Sequence, residues 1–241
     1  MLPLFHYKLK HKFTPHLAPK IKSYIKVRDP QSILDIGCGA GESTHMYGRK
    51  EAIVNLAKNN WDVYGIEPSE EARNSLKMKG IENIYSDLFN SPFEDNSFDI
   101  IRLNWSLEHI HYPTLYLKKC KELLKYNGKM IVSIPNYKGI TYKIFPECVE
   151  VPLHLYYFCV DTFKKYARKL DLTIVDYYTF SYAPLFITAL EFMEFDSLAK
   201  KFRGSAKMTI ELNTFLKTMG HLGLGDDMVF CLTKERCNGA K

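Results

Sequence analysis

Asp35, Gly37, Gly39 and Gly41 alternate with other residues in the run S-I-L-D-I-G-C-G-A-G-E at positions 32–42, where an apolar stretch enters a D-x-G-x-G-x-G turn. That layout suits a strand, a ligand-binding loop and a helix in succession. Without a Cβ, glycine lets backbone amides approach a ligand and lets the chain turn with positive φ. The spacing also narrows the ligand. A G-x-G-x-x-G dinucleotide fingerprint would need its third glycine at position 42, which is Glu42. A carboxylate at a helix start repels the pyrophosphate that such a loop would hold. The loop therefore reads as a site for a nucleoside without phosphates. Glu67 lies 26 residues beyond Gly41, and an acid at the end of a second strand can accept hydrogen bonds from both ribose hydroxyls.

The elements that must hold these residues follow from periodicity. Strand and helix signals alternate through residue 136, the mark of a parallel sheet with crossover helices. Strands are predicted over 32–36, 62–66, 82–86, 98–103 and 129–134. Ser69 caps a helix with Glu70 and Glu71 in its first turn, Lys77 and Lys79 in its last and Gly80 at its end. Pro113 opens another, with Leu117, Cys120, Leu123 and Leu124 inward and Gly128 just beyond its end. Residues 137–160, rich in aromatics, read as a long loop before a helix capped by Asp161. In that helix Phe163, Tyr166, Ala167 and Leu170 share one face. Two final strands are expected over 172–178 and 228–233.

Later landmarks fall in register behind the glycine loop: I-E-P-S at 66–69, S-D-L-F at 86–89, F-D-I-I at 98–101, L-E-H-I at 107–110 and N-G-K-M-I-V-S-I-P-N at 127–136. With L-D-I-G-C-G-A-G they make the chain resemble the class I S-adenosylmethionine-dependent methyltransferases, in the small-molecule O-methyltransferase branch that includes quinone-biosynthesis and surface-glycan enzymes. The resemblance implies an α/β fold: a Rossmann-like seven-stranded sheet, mostly parallel with an antiparallel last strand, and helices on both faces. It also implies S-adenosyl-L-methionine as cofactor and S-adenosyl-L-homocysteine as product.

Carried over residue by residue, Asp35 with Gly37, Cys38, Gly39 and Gly41 would surround the methionine moiety, and Glu67 the ribose. Asp87 would take the adenine amine while the Leu88 amide meets a ring nitrogen. Asn104 would offer a backbone carbonyl to the methionine amino group, and Pro68, Ser69 and Phe89 would line the adenosine cleft. Each has a plainer structural alternative, such as a turn bond for Asp35 or a loop cap for Asp87.

Methyl transfer to oxygen or nitrogen is helped by removal of a proton, for which neutral imidazole is suited near pH 7. His109 in L-E-H-I and His154 in P-L-H-L-Y-Y-F are the candidate bases, with His111 a third; a purely structural role is the alternative for each. Some quinone-pathway members carry E-x-x-E-H here. Trp105 replaces the first glutamate in this chain, leaving Glu108 and His109, so no metal is expected. Trp105 and the run Tyr156, Tyr157, Phe158 would wall the transfer site or simply pack the core.

Composition fits a single domain over 1–241. Hydrophobic residues make up 46% of the chain, enough for a sizeable core, and no apolar run approaches the roughly 20 residues of a membrane span. No signal peptide is evident, so a cytoplasmic location is expected. The six cysteines form no C-x-x-C pair and read as reduced thiols. Much of the net charge of +6 comes from residues 6–28, with seven Lys/Arg, three His and no acid. Residues 1–30 are taken as a basic lid rather than a nucleic-acid arm. Residues 182–226 form an insertion between the last two strands, read as an acceptor cap, a subunit interface or a peripheral membrane contact.

The partner expected is a small-molecule acceptor (a sugar, glycan precursor or quinone-like ring), with no nucleic acid, for a monomer or homodimer. Two alternatives stay open: methylation of RNA or protein, although the fourth strand ends in N-W-S-L rather than N-P-P-Y, and a non-catalytic cofactor-binding protein.

Overall fold

The computed structural model describes residues 22–41, 49–149 and 153–234. Strands Ser32–Ile36 (β1), Asp62–Ile66 (β2), Ile84–Tyr85 (β3), Phe98–Asn104 (β4), Leu124–Pro135 (β5), Leu172–Phe180 (β6) and Asp227–Lys234 (β7) form one sheet in the order β3-β2-β1-β4-β5-β7-β6. The pairs from β3 to β5 are parallel, and β7 runs antiparallel to both neighbours. This is the mostly parallel sheet with an antiparallel last strand that the sequence implies. Helices Ile53–Lys58 (α1), Glu70–Met78 (α2), Pro113–Leu123 (α3), Ile140–Ile144 (α4), Val160–Lys169 (α5), Ala183–Phe192 (α6), Asp196–Gly204 (α7) and Ala206–His221 (α8) connect the strands.

The described residues fall into two compact units. Residues 22–41, 49–134, 161–177 and 229–234 make a sheet unit, and residues 135–149, 153–160 and 178–228 make a helical unit. In the sheet unit Ile33, Leu34, Ile36, Ile100, Ile101, Leu103 and Val132 are buried, as expected where helices cover both faces of a parallel sheet. Helix α5 buries Phe163 and Ala167 as its periodicity requires, and Leu170 just past its end is buried too, with Phe163 against Phe230 at 4.6 Å between ring centres. In the helical unit Phe145, Leu185, Ile187, Leu190, Ala199, Leu212 and Leu216 form a separate apolar cluster.

Several elements differ from their sequence expectation. The third strand shortens to Ile84–Tyr85. The third helix stops at Leu123 and the chain turns directly into β5 at Leu124, so Gly128 lies inside the strand instead of marking a helix end. The register with β4 shifts between Phe98, opposite Leu124, and Ile100, opposite Lys129. A Cβ at Gly128 would sit 2.9 Å from the Asp99 carbonyl oxygen, which is why glycine occupies this bulge. The expected loop over 137–160 contains α4 and a 3₁₀ turn at Pro146–Cys148. Helix α5 starts at Val160, placing Asp161 in its first turn.

The insertion holds α6, α7 and α8, the last capped by Ser205, whose hydroxyl accepts from the Met208 amide. Of the basic lid, positions 1–21 lie outside the described residues, as does Glu42. Lys22 pairs with Asp176, and the Tyr24 hydroxyl donates to the same carboxylate at 2.8 Å. Among the described residues no helix is long and apolar enough to cross a membrane.

Candidate functional site

β1 and β4 lie side by side at the centre of the sheet, and the chain leaves them toward opposite edges. Their carboxyl ends therefore diverge, opening the crevice in which parallel α/β sheets bind ligands. The glycine loop follows β1 at this point. Gly37, Gly39 and Gly41 all have positive φ, which a side chain would strain. Space is decisive at two of them. A Cβ on Gly37 would lie 2.7 Å from the Ser106 Cβ, and one on Gly41 would lie 2.4 Å from Leu76 and 2.9 Å from Ile53. The loop is pinned to β2 by Gly37 and Cys38 amides donating to the Ile66 carbonyl at 2.8 and 3.2 Å.

Glu67 organises the next edge. Its carboxylate accepts from the Gly39 amide and from the Ser69 amide, each at 2.8 Å. Each oxygen keeps a further lone pair. Ser69 caps α2 by accepting from the Ala72 amide, and Arg73 from the same helix donates to the carbonyls of Glu67 and Pro68 at 2.8 and 2.6 Å. After β3, one Asp87 oxygen accepts from the Phe89 and Asn90 amides at 3.1 and 3.0 Å, so it caps its loop, while Leu88 is fully buried. Phe89 meets Tyr116 edge to face at 5.2 Å.

Asp35 has a partner that the sequence did not single out. Its register neighbour on β4 is Arg102, whose Nε and Nη2 donate to the two carboxylate oxygens at 3.1 and 2.6 Å. Both residues are buried. Arg102 also donates to the Glu51 carbonyl at 2.8 Å. Burial raises the Glu51 carboxyl, with Ser23 and Arg102 acting the other way. The Cys38 thiol is pushed well up by burial and by the charges of Asp35 and Glu67, so it stays protonated and unreactive.

The end of β4 is where polar groups lack protein partners. Among the described residues, both amide atoms of Asn104 and the Ser106 hydroxyl are buried without a hydrogen bond. Trp105 between them holds φ at 46° and donates its amide to the Ser133 carbonyl. Buried polar atoms without partners are rare, and a ligand is one of the things that explains them. The 3₁₀ turn Leu107–His109 follows, with Glu108 buried and His109 exposed.

His154 belongs to the helical unit, where it is buried and its Nδ1 is hydrogen-bonded to the Tyr137 hydroxyl. Nearby, the Asn136 side chain donates to the Gly225 carbonyl at 2.6 Å, and Asp226 accepts from the amide and hydroxyl of Thr141 at 2.7 and 2.6 Å. Burial pushes the Asp226 carboxyl up to about 6. Sequence reasoning missed Arg102, Arg73, Ser106 and Asp226. An arginine inside an otherwise apolar strand was the available signal for the first, because a buried guanidinium requires a carboxylate.

Residues 34–132 match the family described as a methyltransferase domain. This stretch is a methyltransferase domain of the class I S-adenosylmethionine-dependent kind. The chain is 27% identical over 120 residues to a demethylmenaquinone methyltransferase of Thermotoga maritima, covering 48% of this chain and 50% of that one. It is 29% identical over 110 residues to a ubiquinone biosynthesis O-methyltransferase of Xanthomonas oryzae pv. oryzae, covering 43% of each. The chain thus spans about half the length of these curated relatives. An S-adenosylmethionine-dependent methyltransferase structure from Mesorhizobium loti superposes with a TM-score of 0.56 at 12% identity, covering 87% of this chain and 94% of that one, a likeness of fold.

Proposed function

We propose that this methyltransferase moves the methyl group of S-adenosyl-L-methionine to an oxygen of a small-molecule acceptor, releasing S-adenosyl-L-homocysteine. The observation that carries the reading is the convergence of the Gly37–Gly41 loop, Glu67 and the unpartnered Asn104 and Ser106 groups at the diverging ends of β1, β2 and β4. These residues fit a nucleoside bearing a cationic amino-acid tail. Glu67 has lone pairs left for a ribose diol, and the Asn104 amide and Ser106 hydroxyl can satisfy the tail. Asp87 and Leu88 bound the adenine end, with Pro68 and Ser69 beside them. Asp35 acts through its ion pair with Arg102, fixing the strand ends from which the loop springs.

The cofactor supplies a methyl group already activated on a sulfonium. The protein's own task is to hold the acceptor oxygen in line, exclude water and accept a proton. His109 and His154 are the proposed bases. The name of one relative, the ubiquinone biosynthesis O-methyltransferase, favours a ring hydroxyl among the candidate acceptors.

The test is S-adenosylhomocysteine release by the purified protein from S-adenosylmethionine, with pooled quinone precursors, polar metabolites, nucleotide sugars and RNA supplied in parallel. Turnover confined to a small-molecule pool is the expected result. Turnover with RNA alone, or no cofactor binding by calorimetry, would overturn the reading.

A further inference from the structure

We infer that Tyr116 is a specificity-determining residue for the cofactor, its hydroxyl reading the N7 edge of adenine while Asp87 and Leu88 read the edge that carries N1. The inference rests on the proposed S-adenosylmethionine site and deepens it at the adenine end. All of its parts lie in the sheet unit.

The turn after β3 leaves one acceptor and one donor open. Among the described residues, the bonds to the Asp87 carboxylate all fall on Oδ2, from the Phe89 amide at 3.1 Å, the Asn90 amide at 3.0 Å and the Asn90 side chain at 2.8 Å. Oδ1 is left to accept. The Leu88 amide has no backbone partner among the described residues, although Leu88 is fully buried. A carboxylate oxygen followed one residue later by an amide donor matches the 6-amino group and N1 of adenine. With that edge taken, the adjacent edge presents N7 as an acceptor and the second hydrogen of the same amino group as a donor. One hydroxyl, which can donate and accept, satisfies both.

Tyr116 is placed to supply that hydroxyl. It lies on α3 three residues after Pro113 and four before Cys120, both buried, and so on the flank of the helix's inward face. Its ring meets Phe89 edge to face at 5.2 Å, and the Phe89 amide is tied to Asp87. The phenol therefore stands beside the turn that holds the base. Burial raises it above its ordinary range, and the Asp87 charge raises it further, so the hydroxyl keeps its proton and can donate. No hydrogen bond engages that hydroxyl among the described residues. Close to Asp87 yet not bonded to it, the phenol approaches the shared amino group from its other side, which is that of N7.

The experiment is titration calorimetry of the full chain with S-adenosyl-L-homocysteine and with two analogues, one carrying CH in place of N7 and one carrying CH in place of N1. Wild type should bind each analogue about 3- to 10-fold more weakly, the effect of one neutral hydrogen bond. Tyr116→Phe keeps the ring that packs on Phe89 and removes only the hydroxyl. It should weaken S-adenosyl-L-homocysteine by the same factor, leave the N7-replaced analogue unchanged and retain the whole loss on replacing N1. A wild-type protein that responds to N1 and is indifferent to N7 overturns the inference without any variant. So does a Tyr116→Phe protein that still prefers N7 to CH, or one in which the N1 loss disappears as well. If wild type binds none of the three ligands, the proposed cofactor site fails and the inference falls with it.

Discussion

In the sheet unit the polar side chains of interest gather at the ends of β1, β2 and β4, around a glycine loop in which Ser106 fills the Cβ position of Gly37, and Leu76 and Ile53 that of Gly41. In the helical unit the buried polar groups are spent on the chain itself: Asn136 on Gly225, Asp226 on Thr141, the Thr179 hydroxyl on the Gly220 carbonyl. Among the described residues, the first region leaves Asn104 and Ser106 side-chain groups without protein partners, whereas the second turns these polar groups onto its own chain. The difference teaches where chemistry has been left open and where a loop has been locked to present its side chains.

The largest test of that contrast is at Gly39, where a Cβ would meet nothing within 4 Å. Gly39→Arg should leave the fold standing and abolish S-adenosylmethionine binding; calorimetry showing undiminished affinity would refute the site assignment. Next comes the buried pair. Arg102→Leu strands the Asp35 charge and should cost about 3–5 kcal/mol of stability, read from denaturant unfolding. A loss under 1 kcal/mol would mean that water reaches Asp35.

Asp226 tests the closed network. Its folded carboxyl is raised to about 6 from 3.8, so it contributes stability that is fully present below the unfolded value and is lost as pH rises through about 6. That contribution amounts to about 3 kcal/mol at most. Asp226→Asn cannot lose the proton, so its melting temperature relative to wild type should climb between pH 4 and pH 8. A difference flat with pH would contradict the raised value.

Glu67→Ala should weaken cofactor affinity by roughly 1.5–3 kcal/mol, the size of a charge-assisted hydrogen bond. The smallest effects compare two caps. Ser69→Ala and Ser205→Ala should each lose about 1 kcal/mol of stability; only the first should also alter cofactor affinity, and equal affinity in both would place Ser69 outside the site.

Features carried by a few adjacent residues were legible in the sequence. The three positive-φ glycines, the Ser69 cap and the inward face of α5 each follow from local rules, and the structure has them all. What depended on register was not legible. Arg102 meets Asp35 because β4 pairs with β1 in one alignment, and the bulge before Gly128 likewise arises only from pairing. Asp226 gave no signal because its partner, Thr141, lies 85 residues away. The open amide of Asn104 sits just before a left-handed residue, Trp105, a conformation that a tryptophan gives no reason to expect.

The Asp35–Arg102 bridge also bears on how this chain can change over time. Replacing either member alone leaves a buried charge, whereas replacing both with apolar residues of similar volume is often neutral. Descent through single substitutions must therefore cross a poorly folded intermediate. The two positions should be inherited as one character, altered together or not at all.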